Sequence, residues 1–199
     1  MSMFRKLIIA SNNPGKLREI GQFLASLGIE IIPQSALAVP ETEEPHASFI
    51  ENALAKARHA ARLTGLPALA DDSGICVDAL GGAPGVISAH FAGEPRSDAR
   101  NNRKLLEMLE AENNRRAHYY CVMVLMRHGD DPRPLVAEGE WCGEILREPR
   151  GSGGFGYDPL FVDPTLGKTG AELTPEQKNR VSHRGKALAA LVDVLKRRA

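Results

Sequence analysis

Aromatic side chains are scarce in this sequence, with one Trp, three Tyr and six Phe among 199 residues. Two of them, Phe155 and Tyr157, share one glycine-rich stretch and so invite a specific explanation. Cysteine is scarcer still: Cys76, Cys121 and Cys142 form an odd set with no C-x-x-C pair. That pattern excludes a disulfide framework and a cysteine zinc site, and leaves three reduced thiols acting as small core residues. A surplus of charge is missing as well, since 25 Lys and Arg balance 25 Asp and Glu. No overall field draws the chain to nucleic acid or to an anionic membrane, so any phosphate binding has to be local. Apolar runs such as Val122 to Met126 are too short to span a bilayer, and the N-terminus lacks an apolar signal-peptide core. A cytosolic protein that uses neither membrane nor nucleic acid is expected. Histidines His46, His59, His90, His118 and His128 show no H-E-x-x-H spacing, and no G-x-S-x-G elbow or internal repeat occurs.

What is present suits one globular domain over residues 1–199, with 43% hydrophobic residues to fill a sizeable core. Leu7 to Ala10 is a short apolar run of the buried-strand kind, and the loop Ser11 to Lys16 follows at once. Leu17, Ile20, Leu24 and Leu27 then recur at helical spacing up to Gly28, and Ile29 to Pro33 is extended. Ser48 and Glu51 form a capping box for an alanine-rich helix that ends near Gly65. Pro67 to Ala70 is a second buried strand, with Asp71-Asp72-Ser73-Gly74 at its carboxyl end. Gly81 to Gly85 is a turn, Ser97 to Glu110 a helix, and Tyr119 to Arg127 and Pro134 to Ile145 are long antiparallel neighbours. The loop Gly151 to Asp158, a short strand at Leu160 to Val162, a helix opened by Thr174-Pro175 and an amphipathic last helix complete an α/β pattern.

Four clusters carry candidate chemistry. Ser11, Asn12, Asn13, Pro14, Gly15 and Lys16 lie where a strand hands over to a helix, whose first N–H groups favour an anion. Glu41, Glu43 and Glu44, with Asp71 and Asp72, form an acidic group. Adjacent carboxylates at a strand end are costly to desolvate together unless a cation is shared, and Mg2+ prefers one or two carboxylates plus substrate phosphates. Asp72 is the candidate metal ligand and proton acceptor. In Gly151 to Asp158, rings beside bare backbone suit stacking on a flat heterocycle, with Asp158 free to read its polar edge. Lys178 with Ser182-His183-Arg184-Gly185-Lys186 supplies hydrogen-bond donors for a carbonyl oxygen or a phosphate.

Six segments in order carry a family likeness: Ser11-x-Asn13-x-x-Lys16, Phe49 to Ala53, Ala70 to Gly74, Gly81 to Gly85, Gly153 to Asp158 and Ser182 to Gly185. Over nearly its whole length the chain resembles the inosine/xanthosine triphosphate pyrophosphatase family. The resemblance implies a two-lobed α/β fold around a long mixed β-sheet flanked by helices, with a nucleotide cleft between the lobes, and a homodimer. It also implies Mg2+-dependent hydrolysis of ITP, dITP and XTP to the monophosphate and pyrophosphate, a house-cleaning role in the nucleotide pool.

By position, the resemblance assigns Ser11 to Lys16, Lys56 and Ser73 to the triphosphate and Asp72 to proton acceptance. It gives Glu43 or Glu44 with Asp72 to the metal, and Phe155, Gly156, Tyr157, Asp158, Lys178, His183 and Arg184 to the base and sugar. Donors on His183 and Arg184 facing the purine 6-oxygen would reject an amino group there. Where the family commonly has Tyr-Ser-Ala-Arg, this chain has Ile87-Ser88-Ala89-His90, which replaces a fixed charge by a titratable one. A pyrophosphatase for modified pyrimidines and a nucleotide-binding regulator without hydrolysis are the alternative readings.

Overall fold

The computed structural model describes residues 4–198. Its centre is a seven-stranded sheet built from β1 (Lys6–Ile9), β2 (Glu30–Pro33), β3 (Ala68–Val77), β4 (Arg116–Met126), β5 (Leu135–Ile145), β6 (Phe161–Asp163) and β7 (Lys168–Thr169). The spatial order is β2-β1-β3-β4-β5-β6-β7. β1 runs parallel to both β2 and β3, with Ile8 opposite Ile32 and Ala68, whereas β6 is antiparallel to β5 and β7. The sheet is therefore mixed, and with its flanking helices the chain is the α/β protein its pattern announces.

Among the described residues five α-helices accompany it: α1 (Pro14–Leu24), α2 (Phe49–Thr64), α3 (Asp98–Met108), α4 (Pro175–Val181) and α5 (His183–Arg198). Their starts follow from local chemistry. Asn13, Ser48, Ser97 and Thr174 cap α1, α2, α3 and α4 through their side-chain oxygens, and proline stands in the first turn of α1 and α4. A 3-10 turn, Ala25–Leu27, carries α1 on to Gly28, whose φ of 66° stops it. Among the described residues no helix is long and apolar enough to cross a membrane.

The chain divides into two compact units. Unit 1 takes residues up to Asp72 together with Cys121–Gly139 and the chain from Arg184 onward. Its core joins Leu7, Ile9, Ile20, Leu24, Leu69, Met123, Leu125, Leu188 and Leu191. Unit 2 takes Ser73–Tyr120 and Glu140–His183, around Ile75, Val77, Leu105, Tyr119, Trp141, Tyr157 and Phe161. In unit 2, Gly143 leaves room for the Phe161 ring, where an added Cβ would come within 2.5 Å of a ring carbon.

β3 departs from the sequence expectation. The acidic tetrad was expected to follow a strand ending at Ala70, but the strand continues through Asp71 and Asp72 to Val77. Both carboxylates are buried, 3% and 5% exposed. Burial at strand positions is tolerated because each acid meets its own cation there.

Candidate active site

Two adjacent residues of β3 organise the charged groups of unit 1. Successive strand side chains leave on opposite faces, so Asp71 and Asp72 meet different partners. Asp71 Oδ2 receives Lys16 Nζ at 3.0 Å and the Nε and Nη2 atoms of Arg184 at 3.4 and 3.3 Å. Arg184 Nη1 also donates to Glu19 Oε2 at 2.9 Å. Burial alone would push the Asp71 carboxyl up, but Lys16, Arg184 and Lys56 outweigh it and hold the group well below the usual carboxylate range. Two cations and two carboxylates balance, so this cluster holds no surplus charge. Asp71 Oδ1 is buried without a hydrogen-bond partner among the described residues.

The first turn of α1 supplies Lys16 to that cluster. Asn13 Oδ1 accepts the N–H groups of Gly15 at 2.9 Å and Lys16 at 3.2 Å, and Ser11 Oγ accepts the N–H of Asn13 at 3.1 Å. Side chains of the loop itself thus take N–H groups that the sequence offers to an anion. Asn12 reaches Glu41 at 2.8 Å.

Around Asp72 the balance differs. Lys56 Nζ, one turn into α2 from Asn52, lies 3.2 Å from Asp72 Oδ1 and 3.1 Å from Glu44 Oε2. Asn52 Nδ2 donates to Asp72 Oδ2 at 3.4 Å and to the His46 carbonyl at 3.2 Å, while its own oxygen accepts the His46 N–H at 3.1 Å. Asn52 therefore ties the segment carrying the glutamates to the strand carrying the aspartates.

Burial raises the Asp72 carboxyl, Lys56 opposes it and Glu44 reinforces it, with the result near pH 6. Burial works against the charge on Lys56, yet Asp72, Asp71 and Glu44 together raise its pKa. One ammonium between two carboxylates leaves one negative charge over. Among the described residues no group of three or more His, Cys, Asp or Glu side chains could hold a metal by itself. Two carboxylates with surplus negative charge do fit Mg2+, which takes its remaining ligands from water and substrate phosphate.

In unit 2 the strip Phe155-Gly156-Tyr157-Asp158 divides its two rings. Phe155 is 42% exposed, whereas Tyr157 is buried with its hydroxyl donating to the Ser88 carbonyl at 2.8 Å. Of the two rings, Phe155 is the one that offers a face for stacking. Lys178 Nζ sits 4.6 Å from its centroid and pairs with Asp158, and Asp158 Oδ2 also accepts the Phe155 N–H at 2.8 Å. His183 stacks flat on Tyr119, with ring centroids 4.7 Å apart and planes 7° from parallel.

A family model described as the Ham1 family matches residues 7–194. The chain belongs to the Ham1 family. It is 67% identical over 190 residues to a dITP/XTP pyrophosphatase of Nitrosomonas europaea, covering 96% of this chain and 94% of that one. Its identity to a dITP/XTP pyrophosphatase of Chromobacterium violaceum is 66%, covering 98% of each. Among solved structures, a HAM1 protein from Coxiella burnetii superposes with a TM-score of 0.94 at 50% identity, covering 98% of this chain and all of that one. The Ham1 protein of Staphylococcus aureus gives 0.89 at 38%, with the same coverage.

For this Ham1 chain, the structure brings Lys56, Asp72 and Glu44 together and leaves Glu43 exposed. It also joins Phe155, Asp158 and Lys178. Arg184, expected with His183 at the base end, is paired in unit 1 with Asp71 and Glu19. Ser73 is half-buried directly after the acidic pair. Sequence reasoning gave no role to Asn52 or Glu19. The signal for Asn52 was available, because it is a polar residue beside the stripe Ala53, Ala57, Ala60 and Ala61 that α2 buries. Glu19 carries none, since its meaning depends on Arg184, 165 positions away.

Proposed function

We propose that this Ham1 chain hydrolyses deaminated purine nucleoside triphosphates, ITP, dITP and XTP, to the monophosphate and pyrophosphate. The observation that carries the reading is the pair of buried acids on β3, one neutralised by Lys16 and Arg184, the other left with Glu44 in surplus negative charge around Lys56. Relatives of nearly the same length, named dITP/XTP pyrophosphatases, support the choice of substrate.

In this reading Asp72 and Glu44 hold Mg2+, which supplies charge neutralisation for the polyphosphate. Lys16 and Lys56 add fixed positive charge near the phosphates, with Ser11, Asn12, Asn13, Pro14, Gly15 and Ser73 shaping that end. A water attacks the α-phosphorus, its proton passes to the Asp72 carboxylate, and the bond to the bridging oxygen breaks to release pyrophosphate. Burial makes the metal-free carboxyl more basic than an exposed aspartate, which suits it to accept that proton. Positioning and electrostatics supply the acceleration. Phe155, Gly156, Tyr157, Asp158, Lys178 and His183 serve the base and sugar, and Arg184 braces Asp71. A homodimer acting on the cytoplasmic nucleotide pool belongs to the same proposal.

The test is pyrophosphate release from ITP, dITP, XTP, dATP and dGTP, with Mg2+ and with EDTA. Release from the deaminated purines alone, abolished by EDTA, is the expected result. Equal kcat/KM for dATP and dITP would overturn the base assignment, and binding without release would leave a nucleotide-binding regulator.

A further inference from the structure

The strip that carries Phe155 is held from a helix outside every motif noted in the sequence. Gly156 follows Phe155 directly and has φ of 63°, a conformation that frees its peptide groups from regular pairing. Both groups are taken by α3. Asp98 Oδ2 accepts the Gly156 N–H at 2.7 Å, and Asn102 Nδ2 donates to the Gly156 carbonyl at 2.9 Å.

Asp98 and Asn102 are four residues apart and share one face of the helix. The carboxylate bond is charge-assisted, and the carboxamide bond fixes the direction of the same residue's carbonyl. α3 is itself anchored: Asn101, next in the chain to Asn102, accepts the Ala92 N–H at 2.8 Å and donates to the Ala89 carbonyl at 2.9 Å. Asn101 also reaches the Ser88 carbonyl that receives the Tyr157 hydroxyl. Phe155 is thus flanked by fixed points, with Asp158 on its own N–H and α3 on the next residue, while its ring stays exposed.

We propose that Asp98 and Asn102 are positioning residues for base recognition, clamping both polar groups of Gly156 so that the Phe155 ring is presented at a fixed angle to the purine. The inference rests on the assignment of Phe155 to the base. A loosely held ring would stack poorly while the phosphate-binding residues stay untouched, so the loss falls on KM and on base selectivity more than on kcat.

The experiment is a double-mutant cycle on the full chain with dITP and Mg2+, reading kcat, KM and Tm. Asn102→Asp sets a carboxylate against the Gly156 carbonyl, acceptor facing acceptor. It raises KM by about tenfold or more, because a misplacement far from the chemistry is costly, while kcat changes by less than about threefold. In the Phe155→Ala background the same substitution adds less than about threefold, since the two residues act through one ring. Asp98→Ala behaves as Asn102→Asp does, and Asp98→Asn, which keeps an acceptor for the N–H, restores KM. If Asn102→Asp melts below the assay temperature, Asn102→Ala carries the same expectation.

An unchanged KM in the folded Asn102 and Asp98 variants, or full multiplication of the Asn102 and Phe155 effects, overturns the clamp. An unchanged KM in Phe155→Ala overturns the base assignment itself. A raised KM there with unaltered clamp variants removes the clamp alone.

Discussion

Asp71 and Asp72 are consecutive on β3, yet Asp71 faces Lys16 and Arg184 while Asp72 faces Lys56 and Asn52. The alternation of a strand turns one acidic dipeptide into two electrostatic environments. Lys16, Arg184 and Lys56 outweigh burial and hold Asp71 ionised, whereas at Asp72 burial prevails and raises the carboxyl. Environments that push two carboxyls apart suit them to different work, and in the proposed mechanism the first is structural and the second reactive.

Asp72→Asn tests that division. The amide keeps the shape but accepts no proton, so kcat for dITP falls by about 10²-fold or more, the usual worth of a positioned base. The fold persists, because the neutral side chain relieves a buried charge. Pyrophosphate release measured at saturating dITP decides it, and near wild-type turnover would remove Asp72 from the chemistry.

Arg184→Met tests the other half. It leaves Asp71 and Glu19 without their guanidinium, and breaking a buried pair from one side costs about 3–5 kcal/mol. Adding Asp71→Asn to the same chain costs less than it does alone, because its bond to Arg184 is already gone and only the pair with Lys16 remains to be lost. Urea unfolding of the single and double variants reads both, and additive losses would contradict the shared pair.

How far the sequence foretold this depended on the range of the interaction. Caps, turns and strands are local, so the Ser48 cap, the stop at Gly28 and the long strand β5 were legible. The continuation of β3 through Asp71 and Asp72 was not, because two adjacent acids discourage a strand unless distant cations meet them. Lys56 lies 16 positions from Asp72, and Arg184 lies 113 from Asp71. Which ring of Phe155 and Tyr157 would be exposed was equally hidden, since Tyr157 is decided by the carbonyl of Ser88, 69 residues away.

Asp131 offers a pH test away from the site. In the turn from β4 to β5 its Oδ2 accepts the Arg127 N–H at 3.0 Å and Nε at 2.7 Å, and its Oδ1 accepts the Arg133 N–H at 3.0 Å. The hydrogen bond from the Arg127 side chain leads in holding this carboxyl well below its ordinary 3.8, against the effect of burial. A depressed folded value means the stabilisation is complete above the unfolded value and is lost as pH falls towards the folded one. Asp131→Asn therefore costs about 1 kcal/mol at neutral pH, discounted because Arg127 is partly exposed, and the gap closes in strong acid. Parallel Tm curves for the two proteins from neutral to strongly acidic pH would contradict this.

Gly143→Ala probes packing in unit 2. The new methyl would crowd the Phe161 ring and the Val162 carbonyl on the neighbouring strand β6. Neither neighbour is the free end of a flexible chain, so the substitution costs about 1–3 kcal/mol. Denaturant midpoints read the loss, and an unchanged midpoint would show that β6 yields freely.

Lys56→Met tests the charge balance at Asp72 directly. Without the ammonium, Asp72 and Glu44 lose the cation between them, so the unliganded protein loses stability. A divalent cation then has more to neutralise than in the native protein, and binding to the folded state raises stability in proportion to the logarithm of its saturation. The variant should show a lower Tm in EDTA and a larger upward shift on adding millimolar Mg2+, although its kcat falls with the loss of a phosphate-facing charge. Differential scanning calorimetry in EDTA and in Mg2+ makes the comparison without requiring turnover. Equal Mg2+ shifts in both proteins would mean that Lys56 does not compete with the cation for these carboxylates, and the metal assignment of Asp72 and Glu44 would have to be given up.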